Sequence, residues 1–209
     1  MELNKIAQIC KVTSHGPEPE IWNLLDRRKD KVDKDGNVKE QGGPTPKITN
    51  VVKILDGDTR WKGRIKYNEF ANTIEVDDTE IIDENETGIA MWLDRVYKIE
   101  MPTTKVAEAV RYVARKNLCH PVREYLEGLR WDGQERVDDL FKMYFGCEVN
   151  ALYSEIGKRW LIGMVARIFE AGCKCDSVVI LAGPQGIMKS TALKVMAINE
   201  KWFSDSALD

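Results

Sequence analysis

One short stretch constrains this chain more than any other: Gly183-Pro184-Gln185-Gly186-Ile187-Met188-Lys189-Ser190-Thr191. It follows residues 177–182, an apolar run rich in Val and Ile that reads as a buried strand. It precedes Ala192, Leu193, Val195 and Met196, whose spacing reads as a helix. Gly, four residues, Gly, Lys, then Ser or Thr, set between a strand and a helix, is the pattern of a loop that wraps a polyphosphate. Glycines let backbone N–H groups turn inward, and the helix N-terminus adds unpaired donors and partial positive charge. Gly183, Lys189, Ser190 and Thr191 fill their places, Gly186 adds conformational freedom, and Met188 stands where the pattern asks for the second Gly. ATP and Mg²⁺ are therefore the expected cofactors. Gly183, Gly186, Met188, Lys189, Ser190 and Thr191 form the site, with Lys189 on the β- and γ-phosphates and Ser190 on the metal. A Cβ and a thioether at position 188 are expected to leave nucleotide binding in this chain weak or absent. Only 18 residues follow Thr191. They hold no clear second acidic strand for Mg²⁺, so no catalytic residue is assigned, and a truncated α/β core without turnover of its own is expected.

The rest of the chain supports an α+β reading. Of 209 residues, 43% are hydrophobic, enough for a core in one or two small domains, and the net charge of −3 argues against a polyanion binder as a whole. Residues 26–47 are dense in charge, then in Gly and Pro, and read as a flexible linker that proteases should cut first. Thr49 or Asn50 can cap a short helix through Leu55. Trp61, Ile65 and Tyr67 alternate with Arg60, Lys62, Arg64 and Lys66, which predicts a strand with all four bases on one face. Ile74 and Val76 read as its hairpin partner, with Glu75 and Asp77 placed to pair with those bases. The acidic run 75–86 reads as a solvated loop. Helical stripes follow at Ile89, Trp92, Leu93 and Val96, and at Val106, Val110 and Val113 behind a Thr104 cap. Pro121 suits the first turn of a further helix, Asp132-Gly133 a turn, Gly146 a helix end, and Asn150 the start of a long helix. Five cysteines, Cys10, Cys119, Cys147, Cys173 and Cys175, match no disulfide or zinc framework. Residues 1–10 lack the apolar core of a secretory signal, and no run approaches a membrane span, so a cytoplasmic protein with no membrane partner is expected.

His120-Pro121-Val122-Arg123-Glu124-Tyr125-Leu126, Leu129-Arg130-Trp131-Asp132-Gly133, Gly172-Cys173-Lys174-Cys175-Asp176, the Gly-rich loop and Trp202-Phe203-Ser204-Asp205 together resemble the virulence-associated protein E family. Lys62-Gly63-Arg64-Ile65-Lys66-Tyr67-Asn68-Glu69-Phe70 is similar to its N-terminal pattern, and residues 1–48 carry no resemblance. The resemblance implies a phage- or plasmid-encoded replication ATPase, helicase-like and of AAA+ type, working on DNA as a hexamer. It implies nucleotide contacts for Gly183, Gly186, Lys189 and Ser190. Met188 departs from the family's Gly, and Ala171 from the Pro usual before Gly-Cys-Lys.

The expected organisation is an N-terminal segment and charged linker (1–48), a small α+β helix/hairpin region (49–119), a helical collar (120–172) and the start of a P-loop ATPase core (173–209). The expected function is a fragment or truncated member of a mobile-element DNA-replication ATPase. The alternative is a regulatory, DNA-binding or protein-binding remnant with a vestigial loop. A complete core would form the hexamer; this chain is expected to be a monomer or weak dimer. Arg60, Lys62, Arg64 and Lys66 are the nucleic-acid candidates, against the blander reading that Glu75 and Asp77 neutralise them. His120, the Trp131 turn and Cys173-Lys174-Cys175 are expected to be structural.

Overall fold

The computed structural model describes residues 5–11, 16–148 and 150–206; the parts of the 1–48, 120–172 and 173–209 assignments at 1–4, 12–15, 149 and 207–209 lie outside the described residues. The fold is mixed α+β and divides into two compact units, Met1–Pro121 and Val122–Asp209.

In chain order the first unit holds α1 (Lys5–Lys11), α2 (Pro19–Leu24), β1 (Lys31–Val32), β2 (Val38–Glu40), α3 (Ile48–Gly57), β3 (Ile65–Asn68), β4 (Thr73–Val76), β5 (Thr79–Glu80), α4 (Asp83–Tyr97), α5 (Thr103–Lys116) and β6 (Leu118–Cys119). β1 and β2 form a hairpin of their own, and the other strands form a sheet in the order β5-β4-β3-β6. β3 and β4 are antiparallel, with Ile65 opposite Val76 and Lys66 opposite Glu75, while β6 runs parallel to β3. Period-2 alternation turns Ile65, Tyr67 and Val76 into the core and Lys66 out of it.

The predicted stripes close that core. Ile89, Trp92, Leu93 and Val96 of α4, and Val106, Val110 and Val113 of α5, are all buried. Ala109 and Ala114 keep the inner face of α5 small, which permits close approach of its neighbours. Trp61 and Trp92 meet edge to face, 5.5 Å between centroids and 77° between planes.

Several local readings are corrected. β3 starts at Ile65, and residues 59–64 are turns, so Arg60, Lys62 and Arg64 do not share a strand face with Lys66. Trp61 reads like a strand residue because it is buried, but the chain turns around it, with Gly63 at φ +70°. The acidic run is not a loop. It holds the end of β4 and all of β5, and Asp83, Glu84 and Glu86 sit in the first turn of α4, where negative charge complements the helix dipole. Asn85 accepts the Ile82 N–H at 3.0 Å. Neither Thr49 nor Asn50 caps α3, which begins at Ile48, and α5 begins at Thr103 behind Pro102 rather than with a Thr104 cap. Residues 26–47 contain the β1–β2 hairpin rather than an unstructured linker.

The second unit holds α6 (Pro121–Gly128), α7 (Leu140–Phe145), α8 (Ala151–Phe169), α9 (Lys189–Met196) and a 3₁₀ turn at Glu200–Trp202. Gly133 at φ +82° makes the expected turn, and Asp132 accepts the Gln134 N–H at 3.0 Å. Gly146 ends α7 in the left-handed region, and the Asn150 side chain caps α8 by accepting the Leu152 N–H at 2.8 Å. Gly157 lets α8 close on α7, since a Cβ there would lie 3.2 Å from two Phe141 ring atoms. Phe141 also stacks on Trp160 at 6.0 Å.

The run 177–182 is corrected too. It belongs to no strand, and Val178 and Ile180 are 84% and 85% exposed. Apolar residues supply the propensity, but a strand exists only when neighbouring backbone satisfies its N–H and C=O groups. Among the described residues none does so here.

Candidate functional site

The loop at 183–188 is built by its backbone. Residues 185–186 turn, with Gly186 at φ +89°, and Met188 lies at φ 60°, ψ 29°, the left-handed region, immediately before α9. A side chain is strained there by about 1–2 kcal/mol, whereas Gly is not. Position 188 is therefore where the pattern's Gly does physical service, and this chain holds the Gly-like conformation with a Met. The Met188 side chain does not fill the loop; it is 71% exposed. Ile187 closes over Gly183, where an added Cβ would come within 2.8 Å of its Cδ1.

Lys189 opens α9 and turns back across the loop. Its Nζ donates to Gly183 O at 2.9 Å and to Pro184 O at 2.8 Å. Ser190 and Thr191 follow in the first turn, exposed, where helical geometry leaves N–H groups without intrahelical partners. All six predicted cofactor residues thus lie in one loop-and-turn. Beside it runs an open groove of ≈ 920 Å³, with Phe141, Phe145 and Trp160 among its apolar walls and Ile187 and Lys189 in its lining.

The four nucleic-acid candidates are not gathered in the same way. Arg60 holds the fully buried Asp58 through Nε–Oδ1 at 2.7 Å and Nη2–Oδ2 at 2.5 Å, and its guanidinium lies 4.8 Å from the Trp92 ring centroid. Burial disfavours the Asp58 charge, but hydrogen bonds from Arg60 and the Tyr97 hydroxyl outweigh it and hold the carboxyl below its ordinary pKa. The Tyr97 hydroxyl is pushed well up by burial and by Asp58. Arg64 pairs with Asp77, as the hairpin pattern anticipated. Lys62 and Lys66 are exposed, with Lys66 opposite Glu75 in the ladder.

Elsewhere, Phe70 and His120 rings lie 5.9 Å apart. Trp131 is 78% exposed, its Nε1 donating to Gln134 O at 3.3 Å. Arg136 grips Asp132 with two bonds, at 2.9 and 2.6 Å, and holds that carboxyl down to about 2. Cys173 and Cys175 are half-buried and unbridged, and no group of three or more His, Cys, Asp or Glu side chains among the described residues could hold a metal.

Residues 126–209 match the virulence-associated protein E-like domain. The C-terminal part of this chain thus carries a stretch similar to that domain. The match takes in the Trp131 turn, α7, α8, the Gly-rich loop and α9, nearly the whole second unit. Residues 120–125 and 62–70, which carried part of the resemblance, fall outside it. The virulence-associated protein E-like domain marks a family associated with mobile elements. No curated protein matches the chain. Among the described residues, no helix is long and apolar enough to cross a membrane.

Proposed function

We propose that residues 183–191 bind the phosphates of a nucleoside triphosphate, and that the chain carries this P-loop for a mobile-element DNA-replication ATPase of helicase-like, AAA+ type. The observation behind this reading is the backbone path. The loop passes through positive φ at Gly186 and Met188 and delivers Lys189, Ser190 and Thr191 at the start of α9. That is the geometry a polyphosphate needs, because its oxygens are met mainly by main-chain donors and a helix N-terminus.

The residues fit the group. Open space surrounds the position a Cβ would take on Gly186, so an anion meets no side chain there. Lys189 spends two donors on loop carbonyls and keeps a third for phosphate. Ser190 would hold Mg²⁺, which when bound offsets phosphate charge. No residue is assigned to hydrolysis, and the chain by itself is proposed to be a monomer or weak dimer, with DNA as the partner of the complete assembly.

A second reading, a vestigial loop in a regulatory or binding protein, draws on Met188. Strain of about 1–2 kcal/mol lowers the population of the closed loop, and so nucleotide affinity, by about 5- to 30-fold. Calorimetric titration of the full chain with Mg²⁺–ATP and Mg²⁺–ADP separates the two. Binding in the range of tens to hundreds of micromolar that disappears in Lys189→Ala supports the phosphate site. No binding, or binding indifferent to Lys189, leaves the vestigial reading.

A further inference from the structure

We propose that the β1–β2 hairpin, residues 26–45, is a nucleic-acid-binding ribbon that grips the phosphate backbone of duplex DNA. This does not depend on whether the Gly-rich loop binds nucleotide.

By sequence the segment looks neutral. From 26 to 40 it carries six bases and five acids, a net of +1. The structure separates the two signs by their partners. Asp26 faces Lys47 and Lys53 at 3.8 and 3.6 Å. Asp30 accepts the Gly42 N–H at 2.7 Å. Asp33 accepts the N–H groups of Asp35 and Asn37 in the hairpin turn, and those bonds hold its pKa down. Glu40 pairs with Lys31 at 2.6 Å. Four of the five acids are thus drawn onto backbone or neighbouring bases. Arg27, Arg28, Lys29, Lys34 and Lys39 are all exposed and have no ion-pair partner among the described residues. These five cations are unpaired among the described residues while four of the five carboxylates are engaged, so an approaching polyanion finds the cations available.

The ribbon is also built rather than loose. At its base the fully buried Asn50 side chain accepts the Asp26 N–H and donates to Asp26 O and Thr45 O, each at 2.9 Å. Arg28 N–H donates to Gly43 O at 2.9 Å. The two arms pass so closely that a Cβ on Gly42 would lie 1.9 Å from Arg28 O. Val32 and Val38 face each other across the strands and are each 57% exposed, which gives the ribbon an apolar contact. A two-stranded ribbon fits the major groove of B-form DNA, where bases on its arms reach phosphates on both sides.

The test is fluorescence anisotropy of the full chain with a labelled 20-bp duplex and a single strand of equal length, at about 50 and 200 mM salt. Five phosphate contacts predict a log–log salt slope near −4.5, a roughly 500-fold loss of affinity over that range. Replacing Arg27, Arg28, Lys29, Lys34 and Lys39 together by Gln should weaken duplex binding at least ~30-fold and flatten the slope. Lys62→Gln with Lys66→Gln should change it less than about threefold. Gly42→Ala keeps every charge but opens the neck, and should also weaken binding. Duplex binding unchanged in the Gln variant, loss confined to the Lys62/Lys66 variant, parental binding by Gly42→Ala, or tighter binding to the single strand would each overturn the proposal.

Discussion

The two units put similar side chains to opposite use. In the first, Trp61, Trp92 and Tyr97 are fully buried, and apolar stripes from α3, α4, α5 and the inner sheet face meet one another. In the second, Leu140 and Phe141 are the large apolar residues that are buried among the described residues, while Trp131, Val178 and Ile180 are 78–85% exposed. α8 is the clearest case: Ile162, Met164, Val165 and Phe169, on different sides of one helix, are 40–59% exposed. Hydrophobicity alone does not make a core. A stripe is buried when a complementary surface reaches it, and the sheet of the first unit supplies that surface. In the second unit the apolar run 177–182 has the composition of a central strand without strand neighbours, and beside it stands the Gly-rich loop. The first unit is thus a closed scaffold, and the second carries its Gly-rich loop on a more open one.

The largest expected effect lies in the closed unit. Asp58→Asn leaves Arg60 facing a lost charge in a buried network and should cost about 3 kcal/mol, measured by denaturant unfolding and the emission of the buried tryptophans. The folded-state pKa of Asp58 is lowered, so its contribution is complete above about pH 4 and is lost as pH falls through the folded value. The Asn variant should show a shallower acid limb. An unchanged midpoint would break the contrast from this side.

Limited proteolysis sharpens it from the other. Thermolysin cuts before apolar residues and has sites in both the hairpin and the 177–182 run. Initial cleavage is expected within 177–187, where the backbone lacks ladder bonds, and not within 26–45, where Asn50 ties the neck. First cuts in the hairpin would restore the reading of that segment as a linker. The smallest expected effect is local. Arg136→Ala should let the Asp132 pKa, held near 2 by hydrogen bonds from Arg136 and the Gln134 N–H, climb toward its ordinary value without a measurable change in unfolding. Carboxyl titration by NMR reads this directly.

How much of this was legible depended on the range of the forces involved. The α4 and α5 stripes, the Asn150 cap, the Gly146 helix end and the Asp132-Gly133 turn are decided within a few residues, and sequence spacing found them. Trp61 misled because it packs against Trp92, a contact 31 positions away in sequence that no strand pattern contains. The hairpin was hidden because Asn50, which ties its neck, lies outside residues 26–47. Residues 177–182 had strand propensity, but pairing depends on other segments. At the Gly-rich loop, the motif set Gly183, Gly186, Met188, Lys189, Ser190 and Thr191 side by side in the sequence. It also marked Met188 as the departure, while the left-handed backbone that makes the departure matter came only with the structure.

The central claim is that this loop is a phosphate site held back by strain at position 188. Its most direct test is calorimetric titration of Mg²⁺–ATP into the parent chain, Met188→Gly and Met188→Gly/Lys189→Ala. Relief of about 1–2 kcal/mol predicts roughly tenfold tighter binding for the Gly variant and loss of that gain in the double variant. Low-micromolar binding by the parent that Gly leaves unchanged would show Met188 to be an accepted residue of the loop and would contradict the account.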